Sequence, residues 1–209
     1  MKYVILAAIL LASFAVLSFL VSSNNAEITK WDTSSFQEIN NPHGKTLNKI
    51  MVDLTKYGRE VVWISVILLL SVLGKKDGRK AAVLITITFL ILIPLGTVLK
   101  NEIDRARPSS VNLLAHADSD PSFPSGHATI VSAGAAILFL RFNKGKQLIF
   151  SIILGIEAIL VSYSRIYVGD HYPLDVVGGI LLGTGIACVV IASSKYLRPV
   201  FSYIDNMKK

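Results

Sequence analysis

The chain has 209 residues, 52% hydrophobic and only 17% charged, against about 25% charged in an ordinary soluble domain. With a mean hydropathy of +0.56, this composition excludes a typical water-soluble globular protein. It points instead to helices crossing a bilayer, each needing roughly 20 mostly apolar residues. The formal net charge of +7 comes from Lys and Arg in short loops between apolar runs; with no basic stripe interleaved with aromatics, nucleic acid is not an expected partner.

Six apolar segments predict an all-α fold, a six-helix transmembrane bundle forming one domain over residues 1–209. The first runs from Tyr3 to Val21. Lys2 before it gives the look of a signal peptide, but the run is long for one. A cleavage site at Ala26 would also have Asn rather than a small residue at its −3 position, so a retained helix is expected. The second segment runs from Val61 to Leu73, extended N-terminally through Lys49 to Glu60. The third is Ala81–Leu99, the fourth Ala128–Phe142, the fifth Leu148–Val168 and the sixth Leu174–Leu197. Cys188 is the one cysteine, so no intrachain disulfide can form.

Twelve of the 21 Lys and Arg residues fall on one face if the six helices alternate: Lys2, Lys75, Lys76, Arg79, Lys80, Arg141, Lys144, Lys146, Lys195, Arg198, Lys208 and Lys209. That face is expected to be cytoplasmic, with both termini. The opposite, outer face then receives the loop Ser22–Glu60 and the stretches Lys100–His127 and Arg165–Asp175, which hold three groups of chemically capable residues.

The first group is Lys100 and Arg107, seven residues apart and so on one helix face, with Pro108 ending the run at Arg107. Snorkelling basic side chains at a helix end would explain this group equally well. The second is Phe123-Pro124-Ser125-Gly126-His127. Here Ser125 reads as an N-cap, Gly126 lets an oxyanion approach the backbone, and the unpaired first amides of the fourth helix form a phosphate seat beside His127. The third is Ser164-Arg165 followed by His171, Pro173 and Asp175. Pro173 fits a helix first turn, which puts Asp175 within hydrogen-bond reach of one His171 nitrogen and leaves the other to attack or abstract.

In this order and spacing, Lys-six residues-Arg-Pro, Pro-Ser-Gly-His and Ser-Arg-five residues-His-three residues-Asp resemble the type-2 phosphatidic acid phosphatase superfamily, every fixed position being present between Lys100 and Asp175. The helices before the motifs are similar to its bacterial phosphatidylglycerophosphate and undecaprenyl-diphosphate phosphatase branch. The resemblance implies a membrane lipid phosphatase acting on a phosphomonoester or diphosphate through a phosphohistidine. It implies that His171 is the nucleophile oriented by Asp175, that His127 is the general acid, and that Lys100, Arg107, Ser125, Gly126 and Arg165 bind the phosphoryl oxygens. Three fixed cations and a helix N-terminus can neutralise those oxygens, so neither a metal nor another cofactor is expected. The partners expected are the lipid phosphate and the surrounding lipids, with no obligate protein partner. A lipid phosphotransferase, vanadate-dependent haloperoxidase chemistry and a non-catalytic lipid-binding protein are the alternatives.

Other residues carry weaker expectations. His43 and His116 read as solvated, and Asp104 with Arg105 as a local ion pair. Glu157, mid-helix and eight residues before Arg165, reads either as a neutral hydrogen-bonded carboxyl or as a group beneath the site. Trp63, Tyr163, Tyr167 and Tyr172 read as interfacial anchors.

Overall fold

Lipid offers backbone N–H and C=O groups no partner, so an apolar stretch must satisfy them within its own helix. In the computed structural model, which describes residues 1–23, 25–41, 44–109, 112–115 and 119–207, every expected apolar segment lies in a helix, and no strand occurs among the described residues. The helices are α1 (Lys2–Ser22), α2 (Ala26–Ile39), α3 (Lys45–Tyr57), α4 (Trp63–Val72), α5 (Lys76–Ile103), α6 (Gly126–Arg141), α7 (Gly145–Tyr167), α8 (Pro173–Ala192) and α9 (Arg198–Asn206). Among the described residues, four helical stretches are long and apolar enough to cross a membrane: α1, α5, α7 and Pro173–Asn206. Helix α6 is apolar but shorter.

The expected N-terminal extension of the second apolar segment is helical, starting four residues earlier than Lys49 at Lys45, with α3 and α4 joined through a π turn, Gly58–Val62. One expectation changes. The expected outer loop Ser22–Glu60 is largely helical as well. Its α2 is started by Asn25, whose side chain accepts from the N–H groups of Glu27 and Ile28. Both extra helices are too polar to register as apolar segments, yet each buries an i, i+4 pair: Asp32 and Phe36 in α2, Met51 and Thr55 in α3. The expected solvated histidines His43 and His116, like Lys208 and Lys209, lie outside the described residues.

Small residues bring α6 and α8 into backbone contact, as is usual where helices associate without a hydrophobic driving force. A Cβ on Gly183 would stand 2.2 Å from the Thr129 carbonyl oxygen, and one on Gly179 would stand 2.6 Å from that of Ser125. On the other flank of α8, a Cβ on Gly185 would meet Leu11 of α1 at 2.7 Å, and Phe14 of α1 stacks on Phe123 at 5.9 Å. Cys188 is fully buried in α8.

Because backbone cannot swing aside as a side chain can, Gly183→Ala should destabilise the protein by about 1–3 kcal/mol through overpacking. Gly96→Ala, with nothing within 4 Å of the new methyl, should be neutral or stabilising by up to about 1 kcal/mol. Thermal unfolding of the two variants in detergent checks the contrast.

Candidate active site

The end of α5 sets the first wall of the site. Lys100 sits in its last turn, and the helix stops at Ile103 with Asp104 in the left-handed region at φ 46°. Arg107 is therefore not on the same helix as Lys100, as the spacing suggested; the chain leaves the helix four residues earlier. The two side chains meet nonetheless at Asp120, with Lys100 Nζ 2.6 Å from Oδ2 and Arg107 Nη2 2.7 Å from Oδ1. Burial acts to raise the Asp120 carboxyl, but the hydrogen bonds from Lys100 and Arg107 win and hold it at about 2. It is ionised at any physiological pH.

Helix α6 begins beside this pair. Ser125 occupies the N-cap position as expected, but its hydroxyl makes no capping bond; it is buried with no hydrogen-bond partner among the described residues. The Ser125 amide is instead spent on the Asp175 carbonyl at 2.9 Å, which ties the start of α6 to α8. His127 follows in the first turn of α6 and is 7% exposed.

The third wall comes from the α7–α8 connection. Arg165 ends α7 almost fully buried, with Nη1 3.0 Å from Thr55 Oγ1 and Nη2 paired to Asp170. Gly169, at φ 90°, turns the chain so that the amides of Asp170 and His171 both reach the Arg165 carbonyl, at 3.1 and 3.2 Å. Pro173 opens α8, and Asp175 in its first turn accepts from the Tyr172 amide at 2.9 Å, as the sequence suggested. His171 is 1% exposed. Its Nδ1 lies 3.4 Å from Asp175 Oδ2 and its Nε2 lies 3.2 Å from Arg107 Nη1. One nitrogen thus faces the carboxylate and the other faces the cations. Asp170 joins two of those cations, since its Oδ2 is also 2.9 Å from Arg107 Nη1.

These walls enclose a cavity of about 450 Å³ lined by Lys100, Asp120, Gly126, His127 and His171, which continues along Trp63, Ile64, Phe89, Leu92 and Ile130. One part of the lining therefore carries basic and imidazole groups, and the other is apolar. That combination suits an anion attached to a hydrocarbon.

Residues 79–199, more than half of the chain, match the family model described as PAP2 superfamily. The chain belongs to the PAP2 superfamily. It is 45% identical to an undecaprenyl-diphosphatase of Sulfolobus acidocaldarius over 86% of each protein. It is 34% identical to phosphatidylglycerophosphatase B of Bacillus subtilis over 66% of this chain and 70% of that one. Among solved structures, the transmembrane PAP2-type phosphatidylglycerolphosphate phosphatase of Bacillus subtilis superposes with a TM-score of 0.75 at 26% identity, covering 91% of this chain and 96% of its own.

The PAP2 motif residues do converge, but several of their partners were not legible. Arg105 is not paired with Asp104. It bridges two fully buried carboxylates, Nη1 to Asp175 Oδ1 and Nη2 to Asp32 Oδ2, both at 2.6 Å, while its guanidinium lies 4.4 Å over the Tyr172 ring. Asp32 also accepts from the Leu174 amide at 2.9 Å, so α2 holds the start of α8. Trp63 and Tyr167 are not interfacial anchors. Both are buried, with Trp63 donating to Glu157 and the Tyr167 hydroxyl to Asn48. Tyr172 is taken up by Arg105, and Tyr163 is 39% exposed. Glu157 accepts from Trp63, a residue of the cavity lining, so it is hydrogen-bonded and also lies beneath the site. Removing Arg105 would strand two buried carboxylates, so Arg105→Ala should cost about 3–5 kcal/mol, and Arg105→Lys should recover only part because it cannot serve two acids in a fixed fork. Unfolding midpoints in detergent would show this; a wild-type midpoint for Arg105→Ala contradicts the bridge.

Proposed function

We propose that this PAP2 protein is a membrane lipid phosphatase that transfers the terminal phosphoryl group of a lipid phosphate or diphosphate to His171 and then to water. The observation carrying it is the disposition of His171, Nδ1 toward Asp175 and Nε2 toward Arg107, at the cationic end of a cavity whose other end is apolar. Asp175 fixes the tautomer with the proton on Nδ1, so the Nε2 lone pair attacks phosphorus. Lys100, Arg107, Arg165, the Ser125 hydroxyl and the amides at Gly126 stabilise the charge on the equatorial oxygens. His127 protonates the departing oxygen and later takes the proton of the attacking water. Fixed cations in this number do the work that a metal ion does in other phosphoryl-transfer sites, so the reaction needs no metal. The names of the relatives put polyprenyl diphosphates and phosphatidylglycerophosphate first among the substrates to assay.

Six helices span the membrane in this reading, with α3, the π turn and α4 supplying the second crossing and α6 the fourth. The whole chain forms one catalytic domain. Basic loops place both termini in the cytoplasm and the cavity at the outer interface, where a headgroup enters sideways with its tail in the bilayer.

His171→Ala should lower kcat by at least about 10³-fold, and His127→Ala by about 10²–10⁴-fold, in assays of phosphate release run in EDTA. Acid quenching of wild type should trap an acid-labile phosphohistidine that His171→Ala lacks; ample turnover by His171→Ala would sink the mechanism.

Sidedness is checked with single cysteines in a Cys188→Ser background. Leu113→Cys, at a position 47% exposed in the outer stretch, should react with a membrane-impermeant maleimide in intact cells. Asn143→Cys should react only after lysis, and the reverse pattern would invert the topology.

A further inference from the structure

Arg59 belongs to none of the motifs, yet the fold delivers it to the cavity. It lies in the π turn Gly58–Val62, a form of helix irregularity found frequently at functional sites. The turn is held from behind. A Cβ on Gly58 would stand 2.2 Å from Val161 Cγ2, so only glycine lets the turn lie this close to α7. One turn on, Trp63 Nε1 donates to Glu157 Oε2 at 3.2 Å, which gives this intramembrane carboxyl its place in the fold. The Arg59 guanidinium then hangs over the start of α6, with Nη1 3.3 Å from His127 Nδ1 and 3.7 Å from where a Cβ on Gly126 would be. Its side chain is 34% exposed and ion-paired with Glu60 at the rim. Arginine has only donors, so this contact needs a neutral His127 with its proton on Nε2; His127 becomes the imidazolium that serves as general acid once Arg59 turns from it to a bound phosphate. Lys100 and Arg107 meet at Asp120, and Arg107 and Arg165 meet at Asp170 beside His171. Arg59 pairs with Glu60 at the rim and reaches His127 rather than His171.

We infer that Arg59 binds the phosphate of the leaving group and so makes the site selective for lipid diphosphates over lipid monophosphates. This rests on the phosphatase function proposed above. In a diphosphate, a bond forms between His171 Nε2 and the terminal phosphorus while the bond from that phosphorus to the bridging oxygen breaks. The electron pair stays on the bridging oxygen, and the departing group is a lipid monophosphate with charged oxygens next to the atom that His127 serves. A guanidinium beside His127 reaches that second phosphate by exchanging its bonds to His127 and Glu60 for phosphoryl oxygens, two of which its planar fork matches. Past it, Trp63, Ile64, Phe89 and Leu92 line the way for a hydrocarbon tail. A phosphomonoester such as phosphatidic acid releases an uncharged alcohol, which gives Arg59 nothing to hold.

The test compares wild type, Arg59→Gln and Arg59→Lys, purified in detergent, on farnesyl diphosphate and dioleoyl phosphatidic acid. Arg59→Gln should lose about 10²-fold in kcat/KM on the diphosphate, the scale for one charge-stabilising donor, while Arg59→Lys, which keeps the charge but not the fork, should recover only part of it. The ratio of kcat/KM for diphosphate over phosphatidic acid should fall at least about tenfold in Arg59→Gln, and the Ki of orthovanadate, which fills only the seat of the transferred phosphoryl, should move by less than about threefold. Wild type alone supplies an independent measure, because methylenediphosphonate should inhibit at least about tenfold more tightly than methylphosphonate. The inference is overturned if Arg59→Gln keeps its diphosphate kcat/KM, if vanadate affinity falls in parallel, or if the two phosphonates inhibit wild type equally. Phosphate release from neither lipid by wild type would bring down the phosphatase reading itself, and this inference with it.

Discussion

Helices α6 and α8 touch backbone to side-chain-free backbone, and the separation of His127 from His171 is decided there. Gly179 and Gly183 present no Cβ to the carbonyls of Ser125 and Thr129, so the helices close to the limit of van der Waals contact. In lipid this closeness is itself the source of adhesion, because tails outside are as apolar as the side chains inside and only tighter packing distinguishes them. The bond from the Ser125 amide to the Asp175 carbonyl then locks the two helix starts in register. Around this joint the remaining helices need only bring their cations and carboxylates within reach.

Electrostatics imposes the second constraint. Four basic side chains, Lys100, Arg105, Arg107 and Arg165, are largely or wholly shielded from solvent, and each meets a carboxylate: Asp120, Asp32 with Asp175, or Asp170. Unpaired, any of them would carry a desolvation penalty of several kcal/mol. The carboxylates also dictate geometry, since Asp175 is fixed on one oxygen by Arg105 and on the other by the Tyr172 amide before it faces His171. The orientation of the imidazole thus depends on α2, far away in sequence, through Asp32.

What could be read from the sequence was local. The motif residues, the helix start at Gly126, the placement of Asp175 in a first turn marked by Pro173 and the apolar segments all depend on spacings of a few residues, and all are present. What escaped was long-range pairing. Asp32 lies 73 positions from Arg105, and nothing nearby in the chain distinguishes it from a solvated acid; its i, i+4 partnership with buried Phe36 was the available sign. Trp63 resembled an interfacial anchor because tryptophans at segment ends usually are, and only a carboxyl 94 positions away draws it inward. The π turn left no signal that periodicity could resolve, because one inserted residue shifts the pattern less than ordinary variation does.

The Asp120 carboxylate gives the site a resident competitor. Its two oxygens occupy Lys100 and Arg107 much as two oxygens of a phosphate would, and it is tethered 20 and 13 residues away from them. A tethered group acts at an effective concentration in the millimolar range or above, so free inorganic phosphate must displace an anion that never diffuses away. In the proposed reaction a lipid phosphate, concentrated at the interface and gripped also by its tail, displaces the carboxylate more readily than a small ion does. On the proposed reading, that tether would help expel the phosphate product and raise the concentration of dissolved phosphate needed to inhibit.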